Sequence, residues 1–216
     1  MSQVTRETLT LNMGPQHPSM HGVLRLILQL EGEVVVGCEP VIGYLHTGIE
    51  KQMETRTYHQ NITLVDRIEY LAAFHEEFAY CMAVEKLLDI EVPPRAQAIR
   101  VIMSELTRVA SHLVYLATSA LELNVSSVYM YCFSDREEIL SLFEEVSGQR
   151  MMPGYFRIGG LQWDLPEGFI ERARTLADLL ERHQEEYEAL LTNNLIWRQR
   201  YESVGVISAA DALAYG

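Results

Sequence analysis

The chain has 216 residues, 48% of them hydrophobic and 22% charged, the balance of a globular protein. At about 150 residues per domain, this length corresponds to one domain or one and a half. The net charge of −13 has the wrong sign for a nucleic-acid partner, and no apolar run approaches the ~20 residues of a membrane helix.

The N-terminal stretch MSQVTRETLTLN has no apolar signal core, so secretion is not expected. The cysteines are Cys38, Cys81 and Cys132, and no C-x-x-C pair occurs. That spacing argues against a zinc ribbon, a redox dithiol or a cysteine-held iron–sulfur cluster within this chain. An odd cysteine count without a signal peptide fits a reducing compartment.

Residues 8–13 alternate polar and apolar, the pattern of a half-buried strand. A loop with two prolines and two glycines follows, from Gly14 to Gly22. Residues 23–30 and 33–38 are two β-rich runs that predict a hairpin turning at Glu31-Gly32. Thr47 and Glu50 have capping-box spacing, so a helix is predicted to start near Gly48. A second, largely buried helix is predicted from Val65 to Leu88, with Tyr70, Phe74, Glu77, Cys81 and Val84 on one stripe.

Pro93-Pro94 opens a third helix to Leu123, long enough to imply a bundle core. Ser134 with Glu137 predicts the start of a fourth, ending near Gly148. Asp164, Pro166 and Glu167 predict the start of a fifth, running to about Leu191. Val204–Ile207 reads as a short β run, and Ser208 with Asp211 caps a last short helix ending at Gly216. These elements predict an α+β, mainly α fold: a β region over residues 1–46 and a helical bundle over 47–216.

Few residues suggest chemistry by spacing alone. His17 and His21 are four apart, but Pro18 lies between them, which excludes a helical metal pair. The plainer reading is two loop histidines bonding to backbone. Tyr70 reads most simply as a core tyrosine with its hydroxyl satisfied. Glu122 sits within Ser-Ala-Leu-Glu-Leu near a helix end, where it is either paired in the interior or turned to solvent. Glu105, Arg108 and His112 share a helix face and read as an ion-pair row. No P-loop, G-x-G-x-x-G, nucleophile elbow or H-E-x-x-H is present.

Several longer strings carry more. Asn12–Arg25 (NMGPQHPSMHGVLR), Gly43–Lys51, Arg56–Thr63, Ala83–Leu88, Glu105–Leu113 and Arg157–Gly160 together resemble the 49 kDa (D) subunit family of NADH:quinone oxidoreductase, respiratory complex I. The resemblance runs in order over almost the whole chain. Family chains continue past Gly216, so the expectation is the N-terminal half of the subunit, truncated at its C-terminus. The implied fold resembles the large subunit of nickel–iron hydrogenases. The implied activity is quinone reduction in a proton-pumping NADH dehydrogenase, the chain being inactive in isolation.

On this resemblance, His21 and Tyr70 contact the quinone head, and Asp66-Arg67-Ile68-Glu69-Tyr70 stands where a hydrogenase carries its first cysteine pair. Arg67 and Met152 join the cofactor-binding set, and no metal is held by this chain. Glu122 replaces an aspartate that pairs with the loop histidine. Met152 replaces a histidine found in many members near the cluster. A thioether does not titrate, so a weaker pH dependence of the cluster's potential is expected, and a lower-potential quinone such as menaquinone fits.

Imidazole and phenol suit this chemistry. A donor at each carbonyl oxygen stabilises the charge that reduction places there, and imidazole delivers a proton near neutrality. The substrate implied is ubiquinone or menaquinone, the electrons come from an iron–sulfur cluster in the adjacent B subunit, and NADH is oxidised elsewhere in the complex. The B, C, I and H subunits of complex I are the implied partners. The implied location is the cytoplasmic side of the bacterial plasma membrane, peripheral and held through partners. Two alternatives remain: a scaffold fragment without activity alone, and the equivalent subunit of a ferredoxin- or F420-linked relative.

Overall fold

The computed structural model describes residues 8–17 and 22–216. It divides into two compact units, residues 1–54 and 55–216.

The first unit holds a three-stranded antiparallel sheet in the order β1 (Thr8–Met13), β2 (Arg25–Glu31), β3 (Val34–Val41). Thr8 pairs with Glu31 and Met13 with Leu26; Arg25 pairs with Val41. A bulge interrupts the β2–β3 register between Gln29 and Leu30. Pro40 lacks a ladder donor and is tolerated because β3 is an edge strand. Helix α1 (Ile49–Met53) follows. The predicted Thr47–Glu50 capping box does not form. Gly48 is the cap, in a left-handed conformation, and the Thr47 carbonyl accepts from the Gln52 side chain instead.

The second unit is helical: α2 (Tyr58–Val65), α3 (Ala73–Leu88), α4 (Pro94–Glu122), α5 (Ser126–Ser147), α6 (Phe169–Tyr187), α7 (Leu195–Tyr201) and α8 (Ala209–Tyr215). A two-residue ladder, β4 (Phe156–Arg157) with β5 (Gly160–Leu161), lies between α5 and α6, and a π turn (Glu188–Thr192) extends α6. Helix α4 has 29 residues, about 44 Å at 1.5 Å per residue. It buries Ile99, Met103, Ala110, Leu113, Ala117 and Ala120 at helical spacing. The alanines let α5 approach closely, and α5 answers with Val128, Cys132, Ile139, Phe143 and Val146. A short connection over residues 123–125 folds the pair into a helical hairpin.

Four predicted boundaries differ from the structure. The helix predicted over 65–88 is broken: residues 66–72 form a turn between α2 and α3. Tight bonds from Arg67 N to Leu64 O and Ile68 N to Val65 O end α2, and the Glu69 carboxylate takes the Leu71 amide (2.8 Å). Helix α5 begins at Ser126, eight residues before the expected Ser134, because the apolar stripe already runs through Val128 and Cys132. Helix α6 begins after Gly168 rather than at Asp164. The Asp164 carboxylate is engaged by Arg95 and the Leu165 amide. Val204–Ile207 forms no strand. The Gly148 end of α5 and the Ser208 cap of α8 match the sequence reading.

Arg100 on α4 anchors the small ladder to the bundle. Its guanidinium is 1% exposed and grips Glu85 on α3 in a two-pronged pair (3.0 and 2.6 Å). It also donates to the carbonyls of Arg157 (2.7 Å) and Gly160 (3.0 Å). Glu85 in turn accepts from the Gly159 amide (2.7 Å). Burial works against a charged Glu85, but the Arg100 hydrogen bonds and charge, with the Gly159 amide, outweigh it and hold the carboxyl below its usual range.

Candidate functional site

The 66–72 turn and the loop 149–157 face each other in the second unit. Two adjoining clefts lie between them and share Met151, Met152 and Pro153. One is narrow and lined by Tyr70, Phe74, Thr107, Arg136 and Met152. The other, of about 450 Å³, is lined by Asp66, Arg67, Met152, Arg157 and Gln162. Tyr70, Arg67 and Met152 thus converge on one region although 82 positions separate Met152 from Tyr70.

Tyr70 differs from its sequence reading. It lies in the turn rather than on a buried helix, and it is 55% exposed. Arg67 is exposed and donates to the Thr63 carbonyl (2.5 Å). Met152 has a positive φ of 55°. Glu122 ends α4, exposed, 12 residues beyond Ala110 and about 18 Å further along the axis; it lines neither cleft. His21 lies outside the described residues, and His17 is half-buried in the first unit.

Beneath the wider cleft sits a feature that spacing did not indicate. Asp66 and Glu77 are 1% and 0% exposed, and their carboxyls are close enough for each to act on the other's charge. The Phe156 amide donates to Glu77 Oε2 (2.7 Å), and the Gly154 backbone also bonds to the pair. Burial, followed by the nearby Asp66 charge, pushes Glu77 up to about 9. Burial raises Asp66 as well, against the pull of Arg67 and Arg157. On an unbroken helix these two residues would stand about 16 Å apart along the axis. The only signal in the sequence was a glutamate on an otherwise apolar stripe.

Among the described residues no group of three or more His, Cys, Asp or Glu side chains is arranged to hold a metal ion. Cys38, Cys81 and Cys132 are unbridged and lie on β3, α3 and α5. Burial pushes the Cys81 thiol up to about 12 and Cys132 to about 11, so neither is a ready thiolate. The predicted ion row is half present: Arg108 pairs with Glu105, while His112 lines a separate apolar groove.

The narrow cleft that holds Tyr70 and Met152 is walled by both helices of the α4–α5 hairpin, through Thr107 and Ala110 on one and Leu140 and Phe143 on the other. The family model described as respiratory-chain NADH dehydrogenase, 49 Kd subunit, matches residues 122–216. The NADH-quinone oxidoreductase D subunit of Geotalea uraniireducens is 55% identical over 210 residues, 97% of this chain and 54% of that protein. The D subunit of Citrifermentans bemidjiense is 56% identical over 210 residues, with the same coverage. That of Protochlamydia amoebophila is 57% identical over 201 residues, 93% of this chain and 50% of that protein. The chain spans about half the length of the curated relatives it matches. Over nearly its whole length it is similar to the D subunits of NADH-quinone oxidoreductase, and over residues 122–216 to the 49 Kd subunit family model.

Proposed function

We propose that this chain provides the quinone-headgroup region of an NADH:quinone oxidoreductase. The observation that carries the reading is the convergence of Tyr70, Arg67 and Met152 on adjoining clefts, in a chain about 55% identical to D subunits of that enzyme. An iron–sulfur cluster held by the neighbouring B subunit would supply the electrons. The residues of this chain bind and protonate.

The Tyr70 phenol, exposed at the cleft, donates a hydrogen bond to a carbonyl oxygen of the headgroup and stabilises negative charge there. Arg67 adds fixed positive charge on the same side. Met152 gives the ring an apolar, polarisable wall. His21 is the proposed second donor and Glu122 its carboxylate partner. Among the described residues no helix is long and apolar enough to cross a membrane, which fits attachment to the cytoplasmic face through the B, C, I and H subunits.

The test is Tyr70→Phe and His21→Ala in the assembled complex. A loss of quinone reduction with intact assembly is expected. Near-normal turnover in both would overturn the site.

One observation favours a second reading, a scaffolding role. A groove of about 880 Å³ runs between α4 and α6, lined by Ile102, Leu106, Val109, Leu113, Ala173 and Leu180 among others. An amphipathic helix of a partner would seat its apolar face in such a groove. A monodisperse 216-residue chain that unfolds cooperatively would argue against that role.

A further inference from the structure

The Asp66–Glu77 pair has no part in the mechanism above, yet its geometry is chemically specific. Both carboxyls are buried and within hydrogen-bonding reach of each other. Among the described residues, no N–H or O–H donor meets Asp66 Oδ1 or Glu77 Oε1. Two carboxylate oxygens facing each other without a donor repel, and leaving both ionised in the interior is costly. One hydrogen between them removes the repulsion and satisfies both oxygens.

We propose that Asp66 and Glu77 share a single proton and release it, through Asp66, to negative charge that forms in the cleft above. Asp66 is the member that lines this cleft; Glu77 lies behind it. The groups facing the pair are the guanidiniums of Arg67 and Arg157, the amides of Gly154 and Phe156, and the Cys81 thiol one turn along α3. The two arginines favour release by stabilising the doubly ionised pair that remains.

This inference deepens the quinone reading and rests on it for the identity of the acceptor. An iron–sulfur cluster in a neighbouring subunit would supply the electrons that reduce the headgroup. One carboxyl O–H bond of the pair then breaks and one O–H bond forms on a headgroup oxygen. The pair regains its proton from water at the cleft mouth. The second proton of the quinol comes from elsewhere.

Two measurements test it. Infrared difference spectra of the purified chain, in water and heavy water at neutral pH, should show a protonated-carboxyl band that exchanges. Glu77→Gln, which keeps size and hydrogen-bonding capacity, should remove the band. Its absence from the unmodified chain overturns the shared proton without need of any variant. In the assembled complex, Glu77→Gln should lower quinone turnover at least about tenfold, with KM for quinone unchanged. The band with undiminished turnover in the variant overturns the delivery. A complex that reduces no quinone in any form overturns the quinone reading and the delivery together, while the band still reports separately on the pair.

Discussion

Replacing Arg100 with methionine removes the guanidinium while keeping much of the buried stem. Glu85 is then left as a buried carboxylate with only the Gly159 amide (2.7 Å) as partner. The Arg157 and Gly160 carbonyls also lose their shared donor. Breaking a buried pair from one side costs about 3–5 kcal/mol, a large part of the ~5–15 kcal/mol that holds a domain folded. The double variant Arg100→Met/Glu85→Leu removes the stranded charge and should recover part of that loss. Recovery stays incomplete, because the Gly159 amide then lacks its partner, at about 1–3 kcal/mol for a group kept from water, and the two carbonyls have lost the donor that tied the ladder to α4. Urea unfolding of the two single variants, the double variant and the unmodified chain closes a double-mutant cycle. A loss below about 1 kcal/mol in Arg100→Met would refute the claim that this guanidinium fastens the ladder to the bundle.

Three further outcomes are expected. Folded Glu77 keeps its proton up to about 9, whereas its ordinary value is 4.5. Between those values the folded state binds more protons than the unfolded one, so this group lowers stability as pH rises; Glu77→Gln should gain on the unmodified chain by up to ~1.4 kcal/mol per pH unit there, read from unfolding midpoints across pH. Gly148 caps α5 at φ 75° with open space where a Cβ would lie, so Gly148→Ala should cost about 1 kcal/mol in thermal or urea unfolding from backbone conformation alone. Phe74 is 1% exposed and its ring centre lies 4.9 Å from Phe143 and 5.3 Å from Phe156, so Phe74→Ala should cost about 3–5 kcal/mol in the same assay.

Local rules made much of the fold legible in the sequence. Alternation marked β1, the apolar runs marked the hairpin, Pro93-Pro94 opened α4, and Gly148 closed α5. These signals work because side-chain periodicity and backbone freedom act over a few residues. The α2–α3 break was not legible, because the apolar stripe of residues 65–88 continues across it. A turn there depends on Glu69 reaching the Leu71 amide and on α3 packing against α4 and the 155–156 segment. Motif strings indicated the family, since each resemblance needs only residue order.

Residue order alone was therefore enough for the class, the long helical hairpin and the kinship. The tertiary structure alone decided that Tyr70 stands exposed in a turn, that Met152 meets it across 82 positions, and that Asp66 folds back onto Glu77. The physical reason is that burial and carboxyl pairing depend on distance in space. One broken helix brings together two acids that an intact helix would hold three turns apart.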